Sequence, residues 1–585
     1  MKQISCLCGM LLLISAHPGL AKFEDLHLLP PAPLTPAETF SDLAPSCVDN
    51  PVEGAERGKI IIDNREALRT RWVMIENSNC EILIEYFTVA SDRISIAGLA
   101  LLIEAAYRGV KVKILLDGLS HQIKDALAAA TVYNPRARQN IEIRLFNRIN
   151  LLSPGTWLAR LHDKAIIVDG HQVISGGRNI SNKYYGIEEG GFFDADLYLE
   201  GSLAKHTRRY FYNLWNSEYV RPYQLTNNDY DTIQWCRQDE FQFDKPCQRV
   251  RSYKIPQLIG YMEALKQATE KLEFARLEQE NIEAAQQQLT REIQARENPT
   301  DEELNSFIER DRSLRSRSRE IKNNLAVDVT DTRAVITQAD LDSHRAFEAN
   351  GPVTLLYDDP EEKKSVHGIA AQLNTFLAQR IKKDSVVTVF SPYVVLGKNA
   401  QKLISQLIDE RNVTIKIYTN SSVSSDNVFA QAFYRHKDSK GFLVKSGIEV
   451  YEFKGYRGKE EEEIFESTGV ATTLHMKAAL IENPGENPLV LLGTFNLDLR
   501  SAYYNRELIA VIDADASEHQ VKIFRNLARM IEQHGYRAGL ETHDEAGNMN
   551  EWYEEYRKTP LWKRVLMKLL RGINKFTAGW LRKQA

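Results

Sequence analysis

Leu161-His162-Asp163-Lys164-Ala165-Ile166-Ile167-Val168-Asp169, with Gly176-Gly177-Arg178-Asn179 behind it, is one of two copies of a pattern in this chain. About three hundred residues later stands Leu474-His475-Met476-Lys477-Ala478-Ala479-Leu480-Ile481-Glu482, followed by Gly493-Thr494-Phe495-Asn496. Each copy is His-x-Lys, four mostly apolar residues, a carboxylate, and a glycine-containing turn that ends in Asn. Strand side chains alternate between faces, so the His and Lys of each copy share one face. Ala165 to Val168 is apolar and β-branched, as a buried strand should be. Asp169-Gly170 reads as a tight hairpin turn, with His171 to Ser175 as the returning strand. In the second copy the strand is Lys477 to Ile481, the turn is the longer Glu482 to Pro488, and Leu489 to Leu492 returns.

Outward from the motifs the repeat continues. The first half offers a strand at Glu81 to Val89, a helix at Ile96 to Arg108 and a strand at Val110 to Asp117. The second half repeats this at Val386 to Ser391, Ala400 to Glu410 and Val413 to Thr419. At 585 residues the chain exceeds one ordinary core, and the repeat makes two of its domains alike. Alternating strands and helices predict an α/β fold with helix-covered sheets.

The paired polar residues suit phosphodiester chemistry. Attack on that anion needs cationic and amide donors around the phosphoryl oxygens, a nucleophile, and an acid for the leaving alkoxide. Lys164, Lys477, Asn179 and Asn496 are candidate donors to the phosphate. One histidine could attack phosphorus covalently while the other handles the proton. No metal and no cofactor is expected.

The arrangement resembles the phospholipase D superfamily with its paired His-Lys-Asp motifs, and within it the bacterial cardiolipin synthase group, C-type members above all. The stretches that carry the likeness are Arg108 to Asp117, Ile143 to Asn147, Gly176 to Ile180 ahead of Tyr184-Tyr185-Gly186, Tyr357 to Pro360, Ser391-Pro392-Tyr393, Thr419-Asn420-Ser421 and Gly493 to Ser501. The likeness runs from about residue 60 to about 540, with a divergent middle. It implies two similar lobes that form one active-site cleft. It makes His162, Lys164, Asp169, His475, Lys477 and Glu482 the catalytic motif residues, with His162 the nucleophile and His475 the acid/base. Acidic residues after each motif commonly orient the histidines, and by position these are Asp196 and Glu507. Glu482 stands where the family usually has Asp; that carboxylate is taken as structural rather than reactive.

The likeness and the composition divide the chain into a signal peptide (1–21), a Pro-rich linker (22–58), a first lobe (59–254), a charged helical hairpin (255–326), a second lobe (327–545) and a basic tail (546–585). Lys2, the apolar run Ile4 to Ile14 and Gly19-Leu20-Ala21 read as a cleavable export signal. Cys47, Cys80, Cys236 and Cys247 then allow two disulfides, with Cys47–Cys80 and Cys236–Cys247 favoured on sequence proximity. The expected setting is the periplasm, associated with the membrane, secretion beyond the cell being the other route. In the middle segment, Asn298-Pro299 breaks a helical pattern and Thr300-Asp301-Glu302-Glu303 reads as a capping box that opens a second helix. The expectation is an antiparallel, coiled-coil-like hairpin, either a solvated spacer or an arm that binds a protein partner or reaches the membrane.

From Arg557 to the end there is no Asp or Glu, while Trp562, Val565, Leu566, Leu569, Ile573, Phe576 and Trp580 recur at helical spacing. Such a basic amphipathic tail suits the surface of an anionic membrane, with packing against the lobes as the other reading. The expected substrates are phospholipids: phosphatidylglycerol, phosphatidylethanolamine and cardiolipin. The expected reaction is phosphatidyl transfer to a polyol, or hydrolysis. Two other readings are a phosphodiesterase acting on nucleic acid and a non-catalytic membrane or partner-binding scaffold. A formal net charge of −5 argues against broad nucleic-acid binding.

Overall fold

The structure is a computed structural model. It describes residues 57–223, 281–325, 347–348 and 353–576, apart from short stretches at 91, 120–134, 148–158, 187–190, 283, 297–299, 361–367, 437, 456–470 and 514–517. The signal segment, most of the Pro-rich linker, Cys47, Cys236, Cys247, the first part of the hairpin and Trp580 lie outside the described residues. Cys80 is disulfide-bonded.

The sequence repeat becomes a repeat of sheets. Across its width, the first sheet runs Phe347–Glu348, Arg57–Ile61, Asp196–Glu200, Gln172–Gly176, Lys164–Val168, Glu81–Tyr86, Lys111–Asp117, Ile141–Phe146, Val220–Pro222. The second runs Thr354–Tyr357, Leu508–Asp513, Leu489–Gly493, Ala478–Glu482, Val386–Phe390, Thr414–Asn420, Glu449–Phe453, Gly535–Arg537. Apart from the short Phe347–Glu348 strand, the two orders correspond one for one. In each, three parallel strands sit beside the antiparallel hairpin that carries the motif.

The helices Asn64–Glu76 and Arg93–Arg108 cover the outer face of the first sheet, with a core that includes Leu68, Trp72, Leu99, Leu102, Ile114 and Ile166. Asp92 caps the second helix at its start, and Gly109, with φ of 113°, ends it in the left-handed conformation. The inner faces of both sheets share one core. Leu197, Leu199 and Leu203 of the first lobe lie in the same cluster as Leu355, Leu480, Leu492 and Leu508 of the second.

The predicted hairpin turn has Asp169 at φ 50° and Gly170 at φ 68°, the paired positive values of a two-residue turn that suits twisted strands. Asp169 does a second job there. Its carboxylate accepts the backbone N–H groups of Asn79 (2.9 Å), Cys80 (2.8 Å) and Glu81 (2.9 Å), fixing the entry to the neighbouring strand. This corrects its expected place in the catalytic set. Five strand steps of about 3.3 Å put it roughly 17 Å along the strand from Lys164. Glu482 is likewise at the far strand end, where it pairs with Arg525 on the surface.

The middle segment has helical residues 284–294 and the helix Asp301–Leu325. Arg310 pairs with Glu292 (2.8 Å) and Arg296 with Glu303 (3.4 Å), so the two run antiparallel. The capping box is present: Thr300 N donates to Glu303 Oε2 (3.0 Å), and Glu303 N donates to Thr300 Oγ1 (3.3 Å). In the tail, the helix Leu561–Phe576 buries Met567 and Leu570 against the helix Val428–Tyr434. The single apolar stripe read from sequence is therefore split: Leu566 and Ile573 pack inward, while Trp562, Val565 and Leu569 face out.

Asp169→Ala should destabilise the first lobe by about 2–3 kcal/mol, because three backbone donors lose a charged acceptor. Urea denaturation measures this, and the folded fraction should keep its turnover; loss of turnover without loss of stability would return Asp169 to the reacting site.

Candidate functional site

Each motif histidine stands just before its strand, not within it. The ladders begin at Lys164 and Ala478. Ahead of them the backbone bonds to the opposite lobe instead. His162 N donates to Arg506 O (3.0 Å), and Arg506 N donates back to Arg160 O (2.8 Å). In the other half, the strand Ala471–Leu474 pairs in parallel with Gly191–Phe193, and His475 N donates to Phe193 O (2.7 Å).

This crossing delivers a carboxylate to each ring. His162 Nδ1 is 2.8 Å from Glu507 Oε2, and His475 Nδ1 is 2.7 Å from Asp194 Oδ2. Both carboxylates are fully buried. Glu507 also accepts hydrogen bonds from Thr494 Oγ1 (2.6 Å), Ser501 Oγ (2.6 Å) and Asn505 Nδ2 (3.0 Å). Burial alone would raise its pKa, but His162, Lys164 and the hydroxyl donors outweigh this and hold it at about 2. Asp194 is likewise held at about 2 against burial by Lys477, His475 and Arg178. An ionised carboxylate only accepts hydrogen bonds, so each Nδ1 carries a proton, and in the neutral ring Nε2 is left with a lone pair.

Glu507 is the residue the sequence indicated; Asp196 is not. Asp196 points to the outer side of the sheet, where it pairs with Arg71 (2.7 Å) and Arg178 (3.1 Å). Asp194 holds His475 instead. The strand repeat contains the signal that separates them: Gly176 pairs with Asp196, and Gly493 pairs with Ile509. Counting back two residues from each partner gives Asp194 and Glu507. Those glycines allow close approach, since a Cβ on Gly176 would lie 2.3 Å from Ala195 O and one on Gly493 would lie 2.1 Å from Leu508 O.

The lysines are buried beside the rings. Lys164 Nζ donates to His162 O (2.6 Å). Lys477 Nζ lies 2.8 Å from His475 Nδ1 and bonds the carbonyl of His475. Since Nδ1–H is directed at Asp194, that carbonyl is the acceptor that holds the ammonium. Burial, followed by the nearby Lys477 charge, lowers Lys164 to about 7, and burial lowers Lys477 to about 8. His162 falls to about 4, again mainly through burial, with Glu507 pulling the other way. His475 is also lowered from its ordinary value by burial and Lys477.

The two asparagines are placed differently. Asn179 Nδ2 donates to Tyr184 OH (2.9 Å), and that hydroxyl lies 3.4 Å from His475 Nε2. Asn496 is buried with its Oδ1 unpartnered among the described residues. Aromatic rings close the walls: Phe87 meets His162 edge-on at 5.1 Å, and Phe192 stacks on His475 at 5.2 Å. Tyr393 approaches His475 edge-on and donates to Asp426 Oδ1 (2.8 Å). Sequence reasoning missed Asp194, Phe87 and Phe192, which sit outside the motifs.

Comparison with known proteins gives the family. The family model described as "Cardiolipin synthase, PLD-like domain" matches residues 73–215 and 377–531, half of the chain and both motif-bearing repeats. The chain belongs to this phospholipase D-like family. Cardiolipin synthase C of Escherichia coli is 24% identical over 538 residues, spanning 86% of this chain and 92% of that protein. An uncharacterised Helicobacter pylori protein is 25% identical over 479 residues, 79% of this chain and 77% of its own length. The crystal structure of phosphatidylserine synthase from Haemophilus influenzae superposes with a TM-score of 0.53 at 14% identity, covering 92% of this chain and 99% of that one. The last likeness places the chain in the same two-lobed phospholipase D-like fold.

Asp194→Asn and Asp196→Asn, two residues apart, should behave differently. Asp196→Asn removes the carboxylate charge that pairs with two buried guanidinium groups and should cost about 3–5 kcal/mol in thermal or urea unfolding. Asp194→Asn should lower kcat/KM about 100-fold or more by releasing His475 from its tautomer, with a smaller stability loss. Equal catalytic losses that track unfolding in both variants would refute the assignment.

Proposed function

We propose that the protein is a phosphatidyltransferase or phospholipase D-type enzyme that acts on membrane phospholipids through a phosphohistidine intermediate. The observation that carries this reading is the pair of imidazoles, each with Nδ1 tied to an ionised carboxylate of the other lobe and each beside a buried lysine. His162, lowered to about 4, is neutral at physiological pH and is the nucleophile. Its Nε2 forms a bond to phosphorus as the phosphorus–oxygen bond to the head group breaks. The leaving oxygen takes a proton from His475 Nε2. Glu507 offsets the positive charge that develops on the phosphorylated imidazole. An acceptor hydroxyl then gives its proton to His475 and attacks phosphorus, and the phosphorus–nitrogen bond breaks to restore neutral His162.

Lys164 and Lys477, with Asn179 and Asn496, are the groups for the phosphoryl oxygens. A buried ammonium without a fixed anion is costly, and a bound phosphodiester supplies that anion. This would return both lysine pKa values toward normal and hold His475 protonated for its role as acid. Water as acceptor gives phosphatidic acid; a polyol lipid gives a transfer product. Phosphatidylglycerol and phosphatidylethanolamine are the proposed donors, with cardiolipin as the transfer product. The relationship to cardiolipin synthases supports that choice. The proposed location is the periplasm, on the export signal read from the sequence.

Vesicles of phosphatidylglycerol and phosphatidylethanolamine, incubated with the protein and resolved by mass spectrometry, test the reading. Cardiolipin marks a synthase-type transferase and phosphatidic acid a phospholipase D. No lipid product, with nucleic acid cleaved under the same conditions, would overturn the lipid reading. His162→Ala should abolish trapping of labelled phosphate, whereas His475→Asn should slow breakdown and let phosphoenzyme accumulate. In kcat/KM at varied pH, which reports the free enzyme, the acid limb should have its midpoint near 4 and not 6.5, since His162 stays neutral until the pH falls through its lowered value. A midpoint at 6.5 would show that His162 is not the desolvated nucleophile.

A further inference from the structure

The helix Leu561–Phe576 has two apolar sides, and only one of them is used. At about 100° per residue, Leu566, Met567 and Leu570 project to one side, where they pack on Val428, Phe429 and Ala432. Ile573 continues that side onto the cluster of Val395, Phe433 and Leu499. On the adjoining side Leu561, Trp562, Val565 and Leu569 are 67%, 59%, 50% and 53% exposed. They form a contiguous strip, because i, i+4 and i+8 lie one above the other on a helix. Lys568 is exposed beside this strip, with Arg564 and Arg571 half-buried on the same flank. Nothing acidic offsets them from Arg557 onward.

A strip of Leu, Val and Trp with cations along one border complements a bilayer whose interface is apolar below and anionic above. A soluble protein partner would leave those cations without matched anions unless it were itself acidic. With sixteen residues that include Lys563, Arg564, Lys568, Arg571 and Lys575, the helix has the basic amphipathic make-up of one that lies in the interfacial plane. At about 24 Å long, it offers a line of contact and not a single anchor.

We infer that the outward face of Leu561–Phe576 is a docking surface for an anionic phospholipid bilayer, seated on the same loop that supports the catalytic strand of His475. The helix and the turn that leads into it fix that loop. Thr559 Oγ1 bonds Ser422 Oγ (2.7 Å), and Lys563 Nζ reaches Ser425 O (3.5 Å). One step further in, Thr473 Oγ1 donates to Ser424 O (2.7 Å), and Asn420 holds Leu474 through both its amide groups (2.7 and 2.8 Å). Asp426 of the same loop accepts the Tyr393 hydroxyl beside His475. Bilayer, helix, loop and catalytic strand thus form one mechanical series. This extends the proposed reaction, whose substrate lies in the bilayer, but it stands on the geometry of the helix.

The test uses the full chain and a Trp562→Glu/Leu569→Glu double variant, whose changes fall on exposed positions and outside the catalytic cleft. Partition onto phosphatidylglycerol-rich vesicles is measured by flotation. Turnover is followed on the same vesicles and on monomeric dihexanoyl-phosphatidylglycerol. The wild type should prefer anionic over pure phosphatidylcholine vesicles about tenfold. The variant should lose about tenfold or more in partition and in vesicle turnover, with turnover of the monomeric lipid unchanged. Partition that is unaltered by the double substitution, or indifferent to phosphatidylglycerol content, overturns the inference. So does a wild-type dimer that becomes a monomer in the variant while partition stays the same, since a second copy would then cover the face. If partition behaves as expected but neither protein turns over either lipid, the docking surface stands and the proposed reaction falls.

Discussion

Everything at the centre of this protein depends on two crossed hydrogen bonds between an imidazole and a carboxylate. Glu507 reaches His162 and Asp194 reaches His475, each from the other lobe. A buried carboxylate is costly alone and tolerable when it is paired and hydrogen-bonded. Separating the lobes would strand both acids and release both rings. The seam therefore binds folding to chemistry: the state in which the acids are satisfied is the state in which both histidines present Nε2. Backbone bonds made by the histidines and their neighbours reinforce it, so ring position is set at the main chain as well as at the side chain.

The electrostatic balance around that seam explains why the site suits an anion. Two lysines, two histidines and two carboxylates are packed where water is scarce, and burial lowers the pKa of all four basic groups. The acids are already committed to hydrogen bonds, so an entering phosphodiester meets donors that have few other acceptors. Behind the cleft, Asp163 rises to about 7 and Glu85 rises well above its ordinary value, because both are buried and each faces other carboxylates. Fewer negative charges then compete for the lysines, leaving more of the local field to the substrate.

Much of this was legible in the sequence, and the limits have physical causes. The hairpin at Asp169-Gly170, the paired α/β lobes and the capping box at Thr300 follow from local rules of period and turn chemistry, which act over a few residues. Glu507 was legible because it stands just ahead of its strand. Asp196 misled because a second acid two residues upstream has the same local appearance; only the pairing of Gly176 with Asp196 and Gly493 with Ile509 separates the candidates. Pairing of that kind is non-local. The tail was legible in part for a similar reason: periodicity revealed an amphipathic helix, but not how its apolar arc would be shared between the second lobe and solvent. Phe87 and Phe192 had no local signal, since an aromatic beside a strand end is ordinary until a ring from elsewhere lies against it.

The one-for-one correspondence of the two sheets has a further consequence. Two identical halves associating about a twofold axis could make the same crossed contacts, since such an interface is self-complementary. In such a dimer every change would appear at both positions at once, and the two histidines would remain equivalent. Joining the halves in one chain removes that constraint. Asp194 in one repeat corresponds to Glu507 in the other, and a buried turn acid at Asp169 corresponds to a surface ion pair at Glu482. The covalent link gives the molecule permission to be asymmetric, and a reaction that needs one imidazole to be the nucleophile and the other to be the acid can make use of it.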